Sequence, residues 1–128
     1  MSWIEDIGTY LQTSGIGTVG TDIFYTGFDA SVHNCITLYT QPGLPEEIYL
    51  TKDLTLRKPE LGVRVRNSSD SAAYQKAYDI YNLLDMLVNT PLGSTRFKRI
   101  KAIADPFFLE QDLNYYYIYS INFNVSIG

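Results

Sequence analysis

Residues 115–128 read YYYIYSINFNVSIG, and alternate positions divide by chemistry. Tyr115, Tyr117, Tyr119, Ile121, Phe123, Val125 and Ile127 fall on one side. Tyr116, Ile118, Ser120, Asn122, Asn124 and Ser126 fall on the other, and none of them is charged. Alternation of this kind predicts a strand with one face in a core and the other face open. Strands commonly run about 5–6 residues, and this pattern lasts about twice as long. In a chain of 128 residues, so long a strand dictates what the remaining elements must do, because each has to pair with it or pack on it.

The other segments supply such elements. Ser2 and Glu5 make a capping box, and Trp3, Ile4, Ile7, Tyr10 and Leu11 recur at helical spacing until Gly15 stops the helix. Asp22–Thr26 and Cys35–Thr40 read as short strands, separated by the turn residues Gly27-Phe28-Asp29-Ala30. Residues 41–60, with Pro42, Pro45 and Pro59, read as a long loop. In Leu61–Asn67 the valines 63 and 65 oppose Arg64 and Arg66.

A helix is predicted over Ser71–Asn89, capped by Asp70 or a neighbouring serine. Its apolar stripe is Ala73, Ala77, Ile80, Leu84 and Leu87, widened by Tyr74, Tyr81 and Val88, and its polar stripe is Gln75, Asp79, Asn82 and Asp85. Asn89-Thr90-Pro91 and Gly93 end it. Arg96–Ala104 and Phe107–Leu109 read as one strand bent at Pro106, since proline cannot donate to a sheet ladder. The last strand then returns beside it as a long hairpin. The expectation is a single α+β domain over residues 1–128, a largely antiparallel twisted sheet with two helices on one face.

Charge is unevenly spread. The net charge is −4, yet all ten Lys and Arg residues lie between positions 52 and 104. The first 51 residues carry only acids, among them Glu46 and Glu47, and the last 24 carry Asp105, Glu110 and Asp112. Such a chain has an acidic side and a basic side. One cysteine, Cys35, permits no internal disulfide and no cysteine-based metal cluster. The opening MSWIEDIGTYLQ has no basic segment and reads against a signal peptide, and no apolar run reaches the roughly 18–20 residues of a membrane span.

Two motifs suggest chemistry and lack its context. Gly15-Ile16-Gly17-Thr18-Val19-Gly20 spells G-x-G-x-x-G, but a dinucleotide loop follows a strand and opens a helix, whereas here a helix precedes and a strand follows. His33 and Cys35 would share a strand face, yet nothing nominates the third group that would orient the imidazole. The reading is of no enzyme and no cofactor or metal. The basic strands are the stronger signal, with Arg64 and Arg66 on one and Arg96, Lys98, Arg99 and Lys101 on the next. Arg57 and Lys58 of the loop join them as candidate interface residues, with Glu46 and Glu47 as acidic counterparts. They guard a sheet face against unwanted pairing, contact phosphates, or meet carboxylates of another protein. The acidic net charge favours protein over nucleic acid. On the third reading, Arg64 and Arg66 tolerate reversal to Glu, because they point away from the core.

The succession GIGTVGTDIFYTGF, LGVRVRN, YQKAYDIYNLLDML, IKAIADPFFLEQD and INFNVSI resembles the minor-capsid or tail-terminator (tail completion) proteins of long-tailed bacteriophages over nearly the whole chain. The resemblance implies a structural virion protein made in the host cytoplasm. It implies a six-membered ring on the head-proximal end of the tail tube that stops tube growth and offers a surface to the head's completion or connector protein. DNA would pass passively through its lumen. A head-closure or adaptor ring in the neck is the neighbouring alternative, and a small ligand-binding α+β module the distant one.

Overall fold

The computed structural model describes residues 3–25, 34–41, 47–48, 55–56, 59–112 and 115–127. Its elements run α1 (Trp3–Thr13), β1 (Ile23–Tyr25), β2 (Cys35–Gln41), β3 (Glu47–Ile48), β4 (Thr55–Leu56), β5 (Glu60–Asn67), α2 (Asp70–Leu84), β6 (Leu87–Leu92), β7 (Thr95–Ala102), β8 (Phe107–Gln111) and β9 (Tyr117–Ile127). Seven strands form one sheet in the order β1-β2-β5-β9-β7-β6, with β8 also on β9, and only β1 and β2 pair in parallel. β3 and β4 make a separate two-stranded piece inside the expected 41–60 loop. Ser2 and the turn at 27–30 lie outside the described residues.

The length of the last strand has a topological cause. β9 pairs along one edge with β5, from Tyr117 to Asn124. Its other edge is shared in series by β8, opposite Tyr117–Ser120, and β7, opposite Phe123–Ile127. Residues 103–106 bulge out between those two partners, and Pro106 is buried there. The bend expected at Pro106 is thus the joint between two strands lying end to end.

Alternation then sorts the side chains. Ile36 and Leu38 on β2, Leu61, Val63 and Val65 on β5, Phe97 and Ile100 on β7, and Tyr119, Ile121, Phe123 and Val125 on β9 are all buried. They join Trp3, Ile7 and Leu11 of α1 and Ala73, Ala77, Ile80 and Leu84 of α2 in one core, so both helices cover the same sheet face. Gly15 (φ +84°) ends α1: its N–H donates to the Gln12 carbonyl, and the Ile16 N–H donates to that of Leu11. This is the Schellman arrangement that glycine favours.

Two expectations need correction. α2 stops at Leu84, not Asn89, and Leu87–Leu92 is a strand. The helical spacing of Leu84, Leu87 and Val88 persists by coincidence. Asp85 turns extended (ψ 137°) and its Oδ1 accepts the Ala102 N–H at 2.8 Å, while Met86 (φ +66°) and Asn89 (φ +50°) swing the chain into pairing with β7. Asp85, expected on a polar helix stripe, instead ties the helix end to the sheet. The second correction concerns the outer face of β9. Ile118 and Ser120 are buried there, whereas Tyr115, expected on the core side, is 77 % exposed at φ +65°.

Candidate functional site

Register shows what covers the outer face. Residues directly opposite in a ladder share a face. Thr37, Arg64 and Ser120 form one cross-strand row, and Cys35, Arg66 and Ile118 the next. Arg64 places its guanidinium carbon 5.0 Å from the centroid of the Tyr39 ring, and Tyr39 itself lies over Gly62, where a Cβ would touch its ring atoms. Arg66 sits under Tyr116 at 4.4 Å and donates from Nε to Asp112 Oδ2 at 2.7 Å. These stacked arginines and tyrosines roof the middle of the face, leaving Thr37, Ser120 and Arg66 buried.

The roof is polar and not fully satisfied. Thr37 Oγ1, Arg64 Nε and Asn122 Oδ1 are buried with no hydrogen-bond partner among the described residues. Each such group costs about 1–3 kcal/mol, and partners of the right chemistry recover it. Farther along β9 the roof ends. Asn124 is exposed opposite Lys101, and Ser126 is opposite Arg99.

Of the basic residues singled out in the sequence, Arg64 and Arg66 lie side by side on β5, and Arg96 and Lys98 are exposed on β7 beyond β9. Arg99 and Lys101 extend that exposed basic strip. Arg57, Lys58, Glu46 and His33 lie outside the described residues, and Glu47 begins β3. Arg66 has its carboxylate partner, Asp112, within its own chain.

Sequence reading missed an apolar surface. All of β8 is exposed, with Phe107 42 %, Phe108 50 % and Leu109 37 % accessible, and Ile103 beside them 50 %. Phe108 meets Tyr117 and Tyr119 edge-on or tilted, and Tyr119 meets Tyr74, which continues to Tyr78 and Tyr81 along α2. The signal was present as Phe-Phe-Leu, three apolar residues in a row where a half-buried strand would alternate. Neighbouring groups hold several of these phenols protonated. A hydrogen bond to Tyr74 raises the Tyr78 pKa, and the charges of Asp85 and then Asp105 raise that of Tyr81. The bond from Tyr119 Oη to Asp70 Oδ1 (2.7 Å), with burial, pushes Tyr119 up to about 12.

The glycine-rich loop holds no cradle for phosphate. Its amides are already donated: Thr18 N–H to Asp22 Oδ1 (2.6 Å), Val19 N–H to Gln12 Oε1 (2.8 Å), and Gly20 N–H to the Ile23 carbonyl (2.9 Å). A bound anion would have to displace all three.

Residues 10–128 match the model of a family described as "Bacteriophage tail terminator protein". The chain belongs to that family. Tail terminator proteins are structural components of the phage virion, not a class of enzyme. No curated protein matches the sequence. Among solved structures, a chain of the "Virion of native gene transfer agent (GTA) particle" has a TM-score of 0.69 at 10 % identity, over 98 % of this chain and 94 % of that one. At that identity the likeness is one of fold. The α+β fold of this tail terminator family member, two helices on a mostly antiparallel seven-stranded sheet, is therefore also the fold of a virion protein.

Proposed function

We propose that the protein caps the head-proximal end of a phage tail tube as a ring of six copies. There it stops further tube subunits from adding and presents a docking surface to the head's completion or connector protein. The family match over residues 10–128 carries this reading. The surface chemistry supports it: an exposed apolar strand edge and an exposed basic strip suit contacts between proteins. Asn124 and Ser126 stand opposite Lys101 and Arg99, so that part of the outer face is basic. A basic wall holds phosphates and slows passing DNA, which favours turning this face toward protein carboxylates, with DNA passing a different surface.

The test is length control. Tube protein of the same phage is polymerised with and without the purified protein and followed by electron microscopy. Tubes arrested in length, with sixfold density at one tip, are the expected result. Tubes that grow at the same rate with and without the protein overturn the capping role, and label on the connector alone points to a neck ring.

A further inference from the structure

Among the described residues the sheet ends in three edges: β1, partly covered by the bridge between Val19 and Ile23, β6, and the outer side of β8. Edges left open invite foreign strands, and proteins block them with shortness, proline or cations. β1 has three residues, and β6 carries Pro91, which has no N–H to offer. β8 has no Pro, Lys or Arg, and its five residues are exposed. Its irregularity is the register shift between Phe108 and Glu110, which leaves the two phenylalanines in regular pairing with Tyr119 and Ser120. Since β6 pairs with β7 alone, the lane beside β8 is vacant.

We propose that the β8 edge, with Ile103, Phe107, Phe108 and Leu109, is the docking surface for a second copy of this chain, which presents the β6–β7 pair of its own sheet. Phe107 shares the outer sheet face with Ser120 and Phe108 the helix face with Tyr119, so β8 offers apolar side chains on both sides of its edge. Charge stands beside both surfaces, and the charges are opposite. Asp105 and Glu110 are exposed beside the β8 patch. Met86 (62 % exposed) and Val88 (58 %) flank Arg96, Lys98, Arg99 and Lys101, four exposed cations without a carboxylate partner among the described residues. Arg pairs with carboxylates in bidentate fashion, so unpaired cations beside an apolar patch select an acidic rim.

The two patches cannot meet within one chain. Phe108 lies opposite Tyr119, while Val88 lies opposite Arg99, which lies opposite Ser126. Tyr119 and Ser126 are about 24 Å apart at about 3.4 Å per strand residue. One patch meeting a different patch on the next copy is a heterologous contact, the kind that closes into a ring. The inference rests on the ring reading above and names the surface that reading needs.

Cysteine pairing tests it. Cys35 is buried, so single replacements Leu109→Cys and Val88→Cys place the reactive thiols. Mixing the two variants under mild diamide oxidation is expected to give a covalent dimer that neither variant gives alone, and the double variant a ladder. Glu110→Lys and Arg99→Glu, both at exposed positions, are each expected to weaken association roughly tenfold and to restore it when combined. Rings that assemble with neither cross-link nor charge rescue overturn this surface and leave the ring reading standing. A Leu109→Cys dimer formed without its partner variant, or a cross-link from Leu109→Cys to tube protein instead of to Val88→Cys, also overturns it. A protein that stays monomeric at every concentration and on tail tubes overturns the ring reading itself.

Discussion

Arg66 on β5 and Asp112, which follows β8, meet through Nε and Oδ2 at 2.7 Å across 46 residues of chain. The arginine side chain is 6 % exposed and the aspartate 22 % exposed, with the Tyr116 ring stacked on the guanidinium. Removing either charge breaks this ion pair in a poorly hydrated site. Asp112→Ala and Arg66→Glu are each expected to cost about 2–4 kcal/mol in urea denaturation. Arg64→Gln removes a partly buried stack on Tyr39 together with the buried, unpartnered Nε, and is expected to cost less than about 1 kcal/mol. The two arginines, equivalent in a sequence alternation, thus separate into one tied to Asp112 by an ion pair and one stacked on Tyr39.

Gly93 is expected to tolerate no side chain. It opens the two-residue turn between Leu92 and Thr95 at φ +59°, and a Cβ there would stand 2.3 Å from Asp6 Oδ1. Asp6, buried, accepts from Thr95 Oγ1 and Ser94 Oγ, so α1 is pinned to this turn. Gly93→Ala should lose about 1–3 kcal/mol and lower Tm by on the order of 5 °C in a thermal melt.

How much of this was legible beforehand depended on range. Short-range signals held: the stripe through Ala73, Ala77, Ile80 and Leu84, the Gly15 stop, and the Val63/Val65 alternation all lie where the pattern put them. Failures came where a distant partner decided. Leu87–Leu92 keeps a helical apolar spacing, and only pairing with β7 and the pull of Ala102 on Asp85 reveal the strand. Arg66 looked like surface because Asp112 is far away in sequence. The β8 patch was visible as Phe-Phe-Leu, but nothing local said that its outer edge lacks a neighbour.

Tyr119 supplies a pH signature. Its folded pKa, about 12, lies above the free phenol's value near 10. The protonated form is favoured in the fold, so its contribution is complete below pH 10 and is lost as pH rises from 10 to 12. Absorbance titration of tyrosinate is expected to show a late-ionising phenol near pH 12. Tyr119→Phe should remove that step and cost about 1 kcal/mol at neutral pH.

Val63 has no exposed surface and sits between Leu38 and Ile121 in the ladder. Val63→Asp places an unpaired charge in that core and is expected to abolish cooperative unfolding, read by circular dichroism. Ser69→Ala, which removes the hydroxyl that accepts the Ala72 N–H at the start of α2, should cost about 1 kcal/mol and leave the protein folded.

The spine of the sheet emerges from the ribosome after every strand it holds. Until β9 arrives, the β2–β5 ladder has no link to the β6–β7 ladder, and β8 has no partner at all. Newly made chains therefore pass through a stage in which phenylalanines and strand edges are bare, the stage at which aggregation competes with folding. Chaperones, more than the stability of the finished protein, would then govern how many chains survive to the folded state.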